Sequence, residues 1–298
     1  MRMPQIRGSC TALVTPFTES GHLDENGLRV NVAHQIESGT SCLVPCGTIG
    51  ESPALTEEEH HQVVRMVVDE SARRVPVIVG TGTNNTQRTI AATLRAKELG
   101  ADAALVITPY YNKPTQEGLY QHFRVVAEEV DFPLVIYNVP GRTGVNIESR
   151  TVARLAELTQ IVGIKEASGK LDQVSEIIRL CGEQLSVLSG DDALTLPILA
   201  VGGVGVISVV SNFVPTDMAT LVRAFFKGDL EGAQQWHKRL LPLCQAMFLE
   251  TNPGPVKTAM GLLGMPAGQV RLPLVPLGTD ATDQLVQVMR EYGLLNDE

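Results

Sequence analysis

The strongest constraint on the fold is a repeated alternation of short β-branched runs with helical patterns along most of the chain. There are eight strand-like runs in the sequence, the number that a closed (β/α)8 barrel requires. They are Thr11–Thr15, Cys42–Pro45, Val75–Gly80, Ala104–Thr108, Leu134–Val139, Val162–Ala167, Ser186–Ser189 and Gly205–Val210. The sequence therefore predicts an α/β fold, a TIM barrel whose active site lies at the C-terminal ends of the strands.

The starts of several helices support this alternation. Thr56 precedes the glutamates Glu57–Glu59 and then an apolar helical run, which is the pattern of a capping box. Asn85, Thr115 and Asp192 are predicted to cap three later helices. The alternative architecture is a doubly wound open sheet, but its glycine fingerprint is incomplete because Asn85 stands at the third glycine position.

The chain after Pro215 shows only helical spacing. The helical segments that we expect there are Leu230–Leu249, Pro255–Leu263 and Ala281–Tyr292. We therefore predict two domains, a barrel with the active site at residues 1–228 and a C-terminal helical appendage at residues 229–298.

Composition argues against several classes of protein. The net charge of -9 and the absence of a Lys/Arg cluster argue against a nucleic-acid partner. The uncharged run Ala193–Pro215 is long enough to consider as a membrane span, but its proline and glycines favour a buried helix, a turn and a strand. Five cysteines without a C-x-x-C pair are expected to be buried free thiols. With no secretory signal in Met1–Arg7, we expect a cytoplasmic protein that does not contact the membrane.

Lys165 lies within the sixth strand-like run, Val162–Ala167. Because strand residues alternate between two faces, Val162 and Ile164 are expected to face the helices and Lys165 the barrel interior. A lysine amine removed from water is easier to deprotonate and can then act as the nucleophile that forms a Schiff base. A structural ion pair with Glu166, or a lysine at the barrel rim, would explain the same pattern.

Two further motifs carry chemistry. In Pro45–Ser52, glycines on either side of Thr48 and Ile49 allow a turn whose backbone N–H groups bind a carboxylate or phosphate. The same pattern also fits an ordinary strand-to-helix turn. Tyr137 lies near the end of the fifth run, and Arg142 follows that run. The tyrosine could shuttle protons and the arginine could bind a carboxylate. Alternatively, Tyr137 is a core residue and Arg142 a surface residue. The histidines show no metal-ligand spacing, and we predict no metal site.

In this order, the motifs resemble those of the 4-hydroxy-tetrahydrodipicolinate synthases, also called dihydrodipicolinate synthases, a family of the N-acetylneuraminate lyase superfamily. The resemblance covers nearly the whole chain and is carried by Thr11–Phe17, Gly47–Ser52, Gly80–Gly82, Thr108–Asn112, Tyr137–Gly144, Gly163–Ala167 and Ser189–Asp192. It implies a lyase of the class I aldolase type, without cofactor, that acts in diaminopimelate and lysine biosynthesis. The implied substrates are pyruvate and L-aspartate 4-semialdehyde, and the implied assembly is a homotetramer, a dimer of dimers.

The resemblance also implies roles for individual residues. Lys165 would form the Schiff base with pyruvate. Tyr137, Thr48 and Tyr111 would relay protons, with Tyr111 entering from a neighbouring subunit. Arg142 would hold the carboxylate of the aldehyde substrate. The full set of implied substrate-binding residues is Gly47, Thr48, Ile49, Arg142, Gly190 and Ile207.

The sequence departs from the family pattern at two places. Ile49 stands where the family usually has a second threonine, which removes a hydroxyl but keeps the backbone donor. Arg88 stands where members inhibited by lysine have a glutamate, so we expect weak inhibition by free L-lysine. Two alternatives remain open: another Schiff-base aldolase or dehydratase of the same superfamily that acts on 2-keto acids, and a non-catalytic paralogue that binds keto acids.

Overall fold

The computed structural model describes residues 6–296 of the chain. Eight parallel strands form one sheet in the order β2-β1-β8-β7-β6-β5-β4-β3. Their bounds are β1 Gly8–Ala12, β2 Cys42–Val44, β3 Ile78–Gly80, β4 Ala103–Ile107, β5 Leu134–Asn138, β6 Ile161–Glu166, β7 Ser186–Ser189 and β8 Gly205–Ser208. A parallel bridge between Leu43 and Val77 joins the two edge strands and closes the ring. The predicted TIM barrel is confirmed.

Helices connect successive strands around the barrel and continue beyond it. Their bounds are α1 Glu25–Glu37, α2 Glu57–Ser71, α3 Thr86–Glu98, α4 Gln116–Val130, α5 Pro140–Thr143, α6 Ser149–Ala156, α7 Leu171–Cys181, α8 Thr195–Ala200, α9 Pro215–Phe226, α10 Leu230–Ala246, α11 Gly254–Leu262 and α12 Thr279–Tyr292. Thr56 and Glu59 form the predicted capping box of α2. Asn85 and Thr115 cap α3 and α4, as predicted.

The predicted cap at Asp192 is wrong by one residue. Asp191 is the residue whose side chain accepts a hydrogen bond from the N–H of Ala193, at the start of a short 3-10 turn. The carboxylate of Asp192 points elsewhere and accepts from the N–H groups of Val209 and Val210, each at 2.9 Å. Adjacent aspartates in a turn cannot be assigned from spacing alone, because either one can reach a backbone donor two residues on.

The first strand begins and ends three residues before the predicted Thr11–Thr15. Its residues pair with both β2 and β8, and the ladder with β2 ends at Ala12. Beyond that point the N–H of Val14 donates to Oδ1 of Asn212, and the hydroxyl of Thr15 donates to the carbonyl of Gly50. Val14 and Thr15, which suggested that the strand continued, are therefore buried, but these polar groups bond outside the sheet.

The sixth strand contains a β-bulge that the alternating pattern did not predict. Leu134 pairs with Ile161 and Val135 pairs with Gly163, so Val162 is an extra residue on β6. Ile161, rather than Val162, takes the helix-facing position together with Ile164. The prediction for Val162 is therefore wrong, whereas Lys165 keeps the inward orientation expected for it because the bulge precedes it.

The C-terminal helices pack on the barrel rather than apart from it. One apolar cluster contains the barrel interior and buried residues of α10, α11 and α12, among them Leu240, Val256 and Leu285. The expected domain boundary at residue 228 falls in the turn between α9 and α10, and the division into two domains remains a prediction.

Two expectations about buried segments are met. The uncharged run Ala193–Pro215 forms α8, a turn and β8, and within residues 6–296 no helix is long and apolar enough to cross a membrane. All five cysteines are buried free thiols.

Candidate active site

Lys165 points into the barrel near the C-terminal end of β6. It pairs in register with Tyr137 on β5 and Leu188 on β7, and the residue is only 5% exposed. Its Nζ lies 4.4 Å from the centre of the Tyr137 ring. A Cβ on Gly190 would lie 3.1 Å from Cε of Lys165 and 2.7 Å from Cβ of Ala167, so a glycine is needed beside this side chain. The lysine therefore occupies a confined site against a phenol ring.

Glu166, the next residue, is buried on the other side of the strand. Its carboxylate accepts hydrogen bonds from the side chains of Asn138 and Gln173 and from the N–H of Ser168. Among the residues that the structure describes, it makes no ion pair with Lys165. The structural interpretation of Lys165 as half of a Lys–Glu pair is therefore wrong.

The turn after β2 has a strained backbone at both ends. Cys46 and Glu51 have positive φ angles of 56° and 52°, which only a tightly held turn imposes on residues with a Cβ. Within residues 6–296, the backbone N–H groups of Gly47, Thr48 and Ile49 donate no hydrogen bond. Successive free N–H groups in such a turn form a site for an anion. Burial raises the pKa of the Cys46 thiol, so this cysteine is not a competing thiolate nucleophile.

A cavity of about 130 Å³ brings the predicted residues together. Its lining includes Gly47, Thr48, Ile49, Tyr137, Arg142, Lys165 and Gly190. It adjoins an outer cavity of about 320 Å³, with which it shares Thr48, Tyr137 and Arg142. The guanidinium of Arg142 is fixed by a 3.2 Å hydrogen bond from Nη2 to the carbonyl of Asn252. The inner cavity thus brings together the amine of Lys165, the turn after β2 and the guanidinium of Arg142.

Two predicted residues lie outside this lining. Ile207 is fully buried on β8 beside Cys10, and Val209, two residues later, lines the cavity instead. Tyr111 is 88% exposed, with a positive φ of 72°, and does not line the cavity of its own chain. Its predicted role requires a second subunit.

The structure adds two polar residues that the sequence did not indicate. Asp191 and Asn252 both line the inner cavity. Asp191 belongs to the Ser189–Asp192 motif, which gave the only signal that could have identified it. Asn252 lies between α10 and α11, where no pattern in the sequence indicates proximity to the barrel mouth.

A buried ion pair connects the anion-binding turn to the C-terminal helices. Nζ of Lys257, on α11, lies 2.6 Å from Oε1 of Glu51, and both side chains are at most 2% exposed. The other carboxylate oxygen of Glu51 accepts from the N–H of Arg271 at 2.8 Å. Burial lowers the pKa of Lys257, and Glu51 opposes that shift. The residue that ends the turn is therefore held by the part of the chain that follows the barrel.

An inward lysine near the C-terminal end of a barrel strand, beside a tyrosine and an anion-binding turn, defines a lyase of the class I aldolase type. Comparisons with known proteins agree with that class and narrow it. The model of the dihydrodipicolinate synthetase family matches residues 5–292. The chain belongs to this family.

Relatives match over almost their whole length. The 4-hydroxy-tetrahydrodipicolinate synthase of Geotalea uraniireducens is 55% identical over 290 residues, which are 97% of this chain and 100% of the relative. That of Syntrophus aciditrophicus is 52% identical and covers 97% of this chain and 99% of the relative. The solved dihydrodipicolinate synthase from Aquifex aeolicus is 47% identical, with a TM-score of 0.94 over 97% of this chain and 99% of that chain. The enzyme from Acinetobacter baumannii, complexed with pyruvate, is 41% identical, with a TM-score of 0.96 over 98% and 100% of the two chains.

Proposed function

We propose that this chain condenses pyruvate with L-aspartate 4-semialdehyde through a Schiff base on Lys165. The observation that carries the proposal is the confined position of this lysine, whose Nζ lies 4.4 Å from the Tyr137 ring centre in a cavity that also contains the free N–H groups after β2. The cavity volume of about 130 Å³ suits a small keto acid. The names of the closely similar relatives support the same reaction.

Pyruvate binds with its carboxylate on the N–H groups of Thr48 and Ile49. The amine of Lys165 adds to the keto carbon, and loss of water gives an iminium ion. A proton then leaves the pyruvate methyl group, and its electron pair moves towards the iminium nitrogen to give an enamine. The imine is the electron sink of this step, so the two substrates and the lysine supply the chemistry.

The enamine carbon attacks the aldehyde carbon, whose oxygen takes up a proton and becomes a hydroxyl group. The amino group of the aldehyde substrate then adds to the imine carbon, and the amine of Lys165 leaves as the ring closes. Tyr137 and Thr48 line the site and serve as the proton relay for these transfers. Arg142 holds the carboxylate of the second substrate.

The third member of the relay, Tyr111, comes from a neighbouring subunit. Its ring is 88% exposed in the single chain, which leaves it available to a partner. A homotetramer built as a dimer of dimers would supply this contact.

Borohydride reduction in the presence of pyruvate tests the first step. We expect a stable adduct on Lys165, located by peptide mass spectrometry, and no adduct in the Lys165→Ala variant. Lys238→Ala, at an exposed lysine on α10, is the matched control and should give the adduct of the unmodified chain. An adduct of full yield in Lys165→Ala would contradict the assignment of the nucleophile.

A coupled assay with L-aspartate 4-semialdehyde, in which a reductase consumes the cyclic product, tests the whole reaction. We expect turnover that depends on both substrates. An adduct with pyruvate but no turnover would instead favour a keto-acid-binding paralogue, or an aldolase that uses a different aldehyde.

A further inference from the structure

The residues that follow Tyr137 and Lys165 form a second pair on the outer face of the same strands. Tyr137 and Lys165 are register partners on β5 and β6, and the next register position joins Asn138 to Glu166. Successive residues of a strand point to opposite faces, so Asn138 and Glu166 face the helices. Asn138 is 0% exposed and Glu166 is 2% exposed. A buried polar pair therefore lies one residue beyond the candidate reacting groups.

All hydrogen-bond partners of the Glu166 carboxylate are donors. Oε1 accepts from the N–H of Ser168 at 2.7 Å and from Nδ2 of Asn138 at 3.2 Å. Oε2 accepts from Nδ2 of Asn138 at 3.0 Å and from Nε2 of Gln173 at 3.2 Å. In the part of the chain that the structure describes, no lysine or arginine forms an ion pair with Glu166. The buried carboxylate is thus satisfied by neutral donors alone.

The same network holds the segment that follows α5, the helix that contains Arg142. Nδ2 of Asn138 donates to Oδ1 of Asn146 at 2.8 Å, and Oδ1 of Asn138 accepts from the N–H of Ile147 at 3.2 Å. Nδ2 of Asn146 donates to Oε1 of Gln173, on α7, at 2.8 Å. One set of hydrogen bonds therefore joins β5, β6, α7 and the segment after α5.

The direction of these hydrogen bonds depends on the carboxylate. Because a carboxylate accepts at both oxygens, Asn138 and Gln173 turn their NH2 groups towards Glu166. A buried polar network holds one arrangement only when each member is satisfied. A neutral amide in place of the carboxylate would put an NH2 group either against the N–H of Ser168 or against the two side-chain amides. The negative charge therefore sets the orientation of its neighbours.

We propose that Glu166 is a positioning residue for the reaction of Lys165, with Asn138 as its partner across the two strands. Their hydrogen bonds hold the ends of β5 and β6 so that Tyr137 stays beside Lys165, with 4.4 Å between its ring centre and Nζ. The carbonyl of Glu166 also accepts from the N–H of Gly190 at 2.8 Å, which keeps that glycine against the lysine. The inference rests on the proposed function and adds buried residues that set its geometry.

The positioning role predicts a loss in the chemical step and not in pyruvate binding. Proton transfer between the bound substrate and Tyr137 is sensitive to small displacements of the reacting groups. The pyruvate carboxylate, in contrast, binds to the turn after β2, which has no hydrogen bond with Glu166 or Asn138 among the described residues.

Glu166→Gln keeps the size of the side chain but replaces one acceptor by a donor. We expect kcat in the coupled assay to fall by about tenfold or more, while KM for pyruvate changes by less than about twofold. Exchange of the pyruvate methyl protons with deuterated water, followed by NMR, measures proton removal without the second substrate and should slow by a similar factor. Glu129→Gln, the same substitution at an exposed position of α4, is the matched control and should behave like the unmodified chain.

The double variant Asn138→Asp/Glu166→Gln exchanges the carboxylate and the amide. It keeps the buried charge and allows the hydrogen bond between the two strands to form in the reverse direction. We expect it to recover part of the kcat that Glu166→Gln loses. Asn138→Asp alone should lower kcat, because two carboxylates then face each other. Borohydride trapping at saturating pyruvate should give the Lys165 adduct in all these variants, because each retains the nucleophile.

Urea denaturation separates positioning from a general loss of structure. A kcat of Glu166→Gln equal to that of Glu129→Gln would overturn the inference. Losses that match the unfolded fraction of each variant, or a double variant no more active than Glu166→Gln, would also overturn it. An unmodified chain that forms the adduct but does not turn over L-aspartate 4-semialdehyde would refute the proposed condensation alone, and the deuterium exchange would then decide the inference by the same comparison.

Discussion

Replacement of Lys257 by methionine should destabilise the protein and loosen the pyruvate site together. The lysine Nζ lies 2.6 Å from Glu51, and the two side chains are 2% and 1% exposed, so the substitution leaves a carboxylate buried without its counter-ion. Removal of one partner from a buried ion pair costs about 3–5 kcal/mol. Methionine has a side chain of similar length but loses the contact of Nζ with the Phe17 ring, at 4.1 Å, and the hydrogen bond of Nζ to the carbonyl of Gln269, which adds a smaller cost to that of the ion pair.

Urea denaturation measures the effect of Lys257→Met on the free energy of unfolding. Lys238→Met, at an exposed position on α10, is the control and should stay within about 0.5 kcal/mol of the unmodified chain. The double variant Glu51→Gln/Lys257→Met removes both charges and should recover most of the lost stability.

The same variant should weaken pyruvate binding, because Glu51 is the residue at which the anion-binding turn ends. We expect a higher KM for pyruvate in Lys257→Met and a partial return in the double variant. If Lys257→Met were as stable as Lys238→Met, the ion pair would not hold the turn. A double variant less stable than the single variant would show that the cost does not come from the uncompensated charge.

Three further predictions concern the substrates and an effector. Arg142→Ala should leave the borohydride-trapped pyruvate adduct intact but lower kcat/KM for the aldehyde, by a factor that corresponds to about 1.5–3 kcal/mol of activation free energy. A variant that lost only pyruvate binding would contradict the role of Arg142. Ile49→Thr should lower the pyruvate KM by the equivalent of about 0.5–1.5 kcal/mol, and an unchanged or higher KM would show that the cavity is adapted to isoleucine. Free L-lysine should inhibit weakly in an initial-rate titration at low salt, because repulsion between the exposed Arg88 and the ammonium groups of lysine costs about a kcal/mol of binding free energy. Strong inhibition at lysine concentrations below millimolar would show that Glu57 pairs with the effector instead.

The barrel and its lysine could be predicted because both depend on local alternation. Eight β-branched runs define the strands, and the inward face of Lys165 follows from the period of two within β6. The same rule failed at Val162, since a β-bulge adds one residue and shifts the alternation before the lysine. The rule also misplaced β1, because the residues after Ala12 remain buried although they no longer pair with the neighbouring strand.

The remainder of the site depends on contacts between distant parts of the chain. Asn252 reaches the cavity only because the segment between α10 and α11 packs over the barrel mouth. Neither the position of Asn252 nor the ion pair between Glu51 and Lys257 produces a recognisable local pattern in the sequence. The sequence pattern, in turn, identified Tyr111 through family resemblance, whereas the single chain leaves that ring outside the cavity.

The position of Lys257 in the chain has a consequence for biosynthesis. All eight strands have been synthesised once Ser208 is added, but the counter-ion of Glu51 comes 49 residues later, from 208 to 257, and the Arg271 N–H later still. A nascent barrel that has emerged can therefore pair its strands while the turn that we propose to bind pyruvate still has an unneutralised carboxylate. Ordering of that turn becomes a late event of synthesis, and a chain that stops before α11 would have a barrel without a firmly held substrate site.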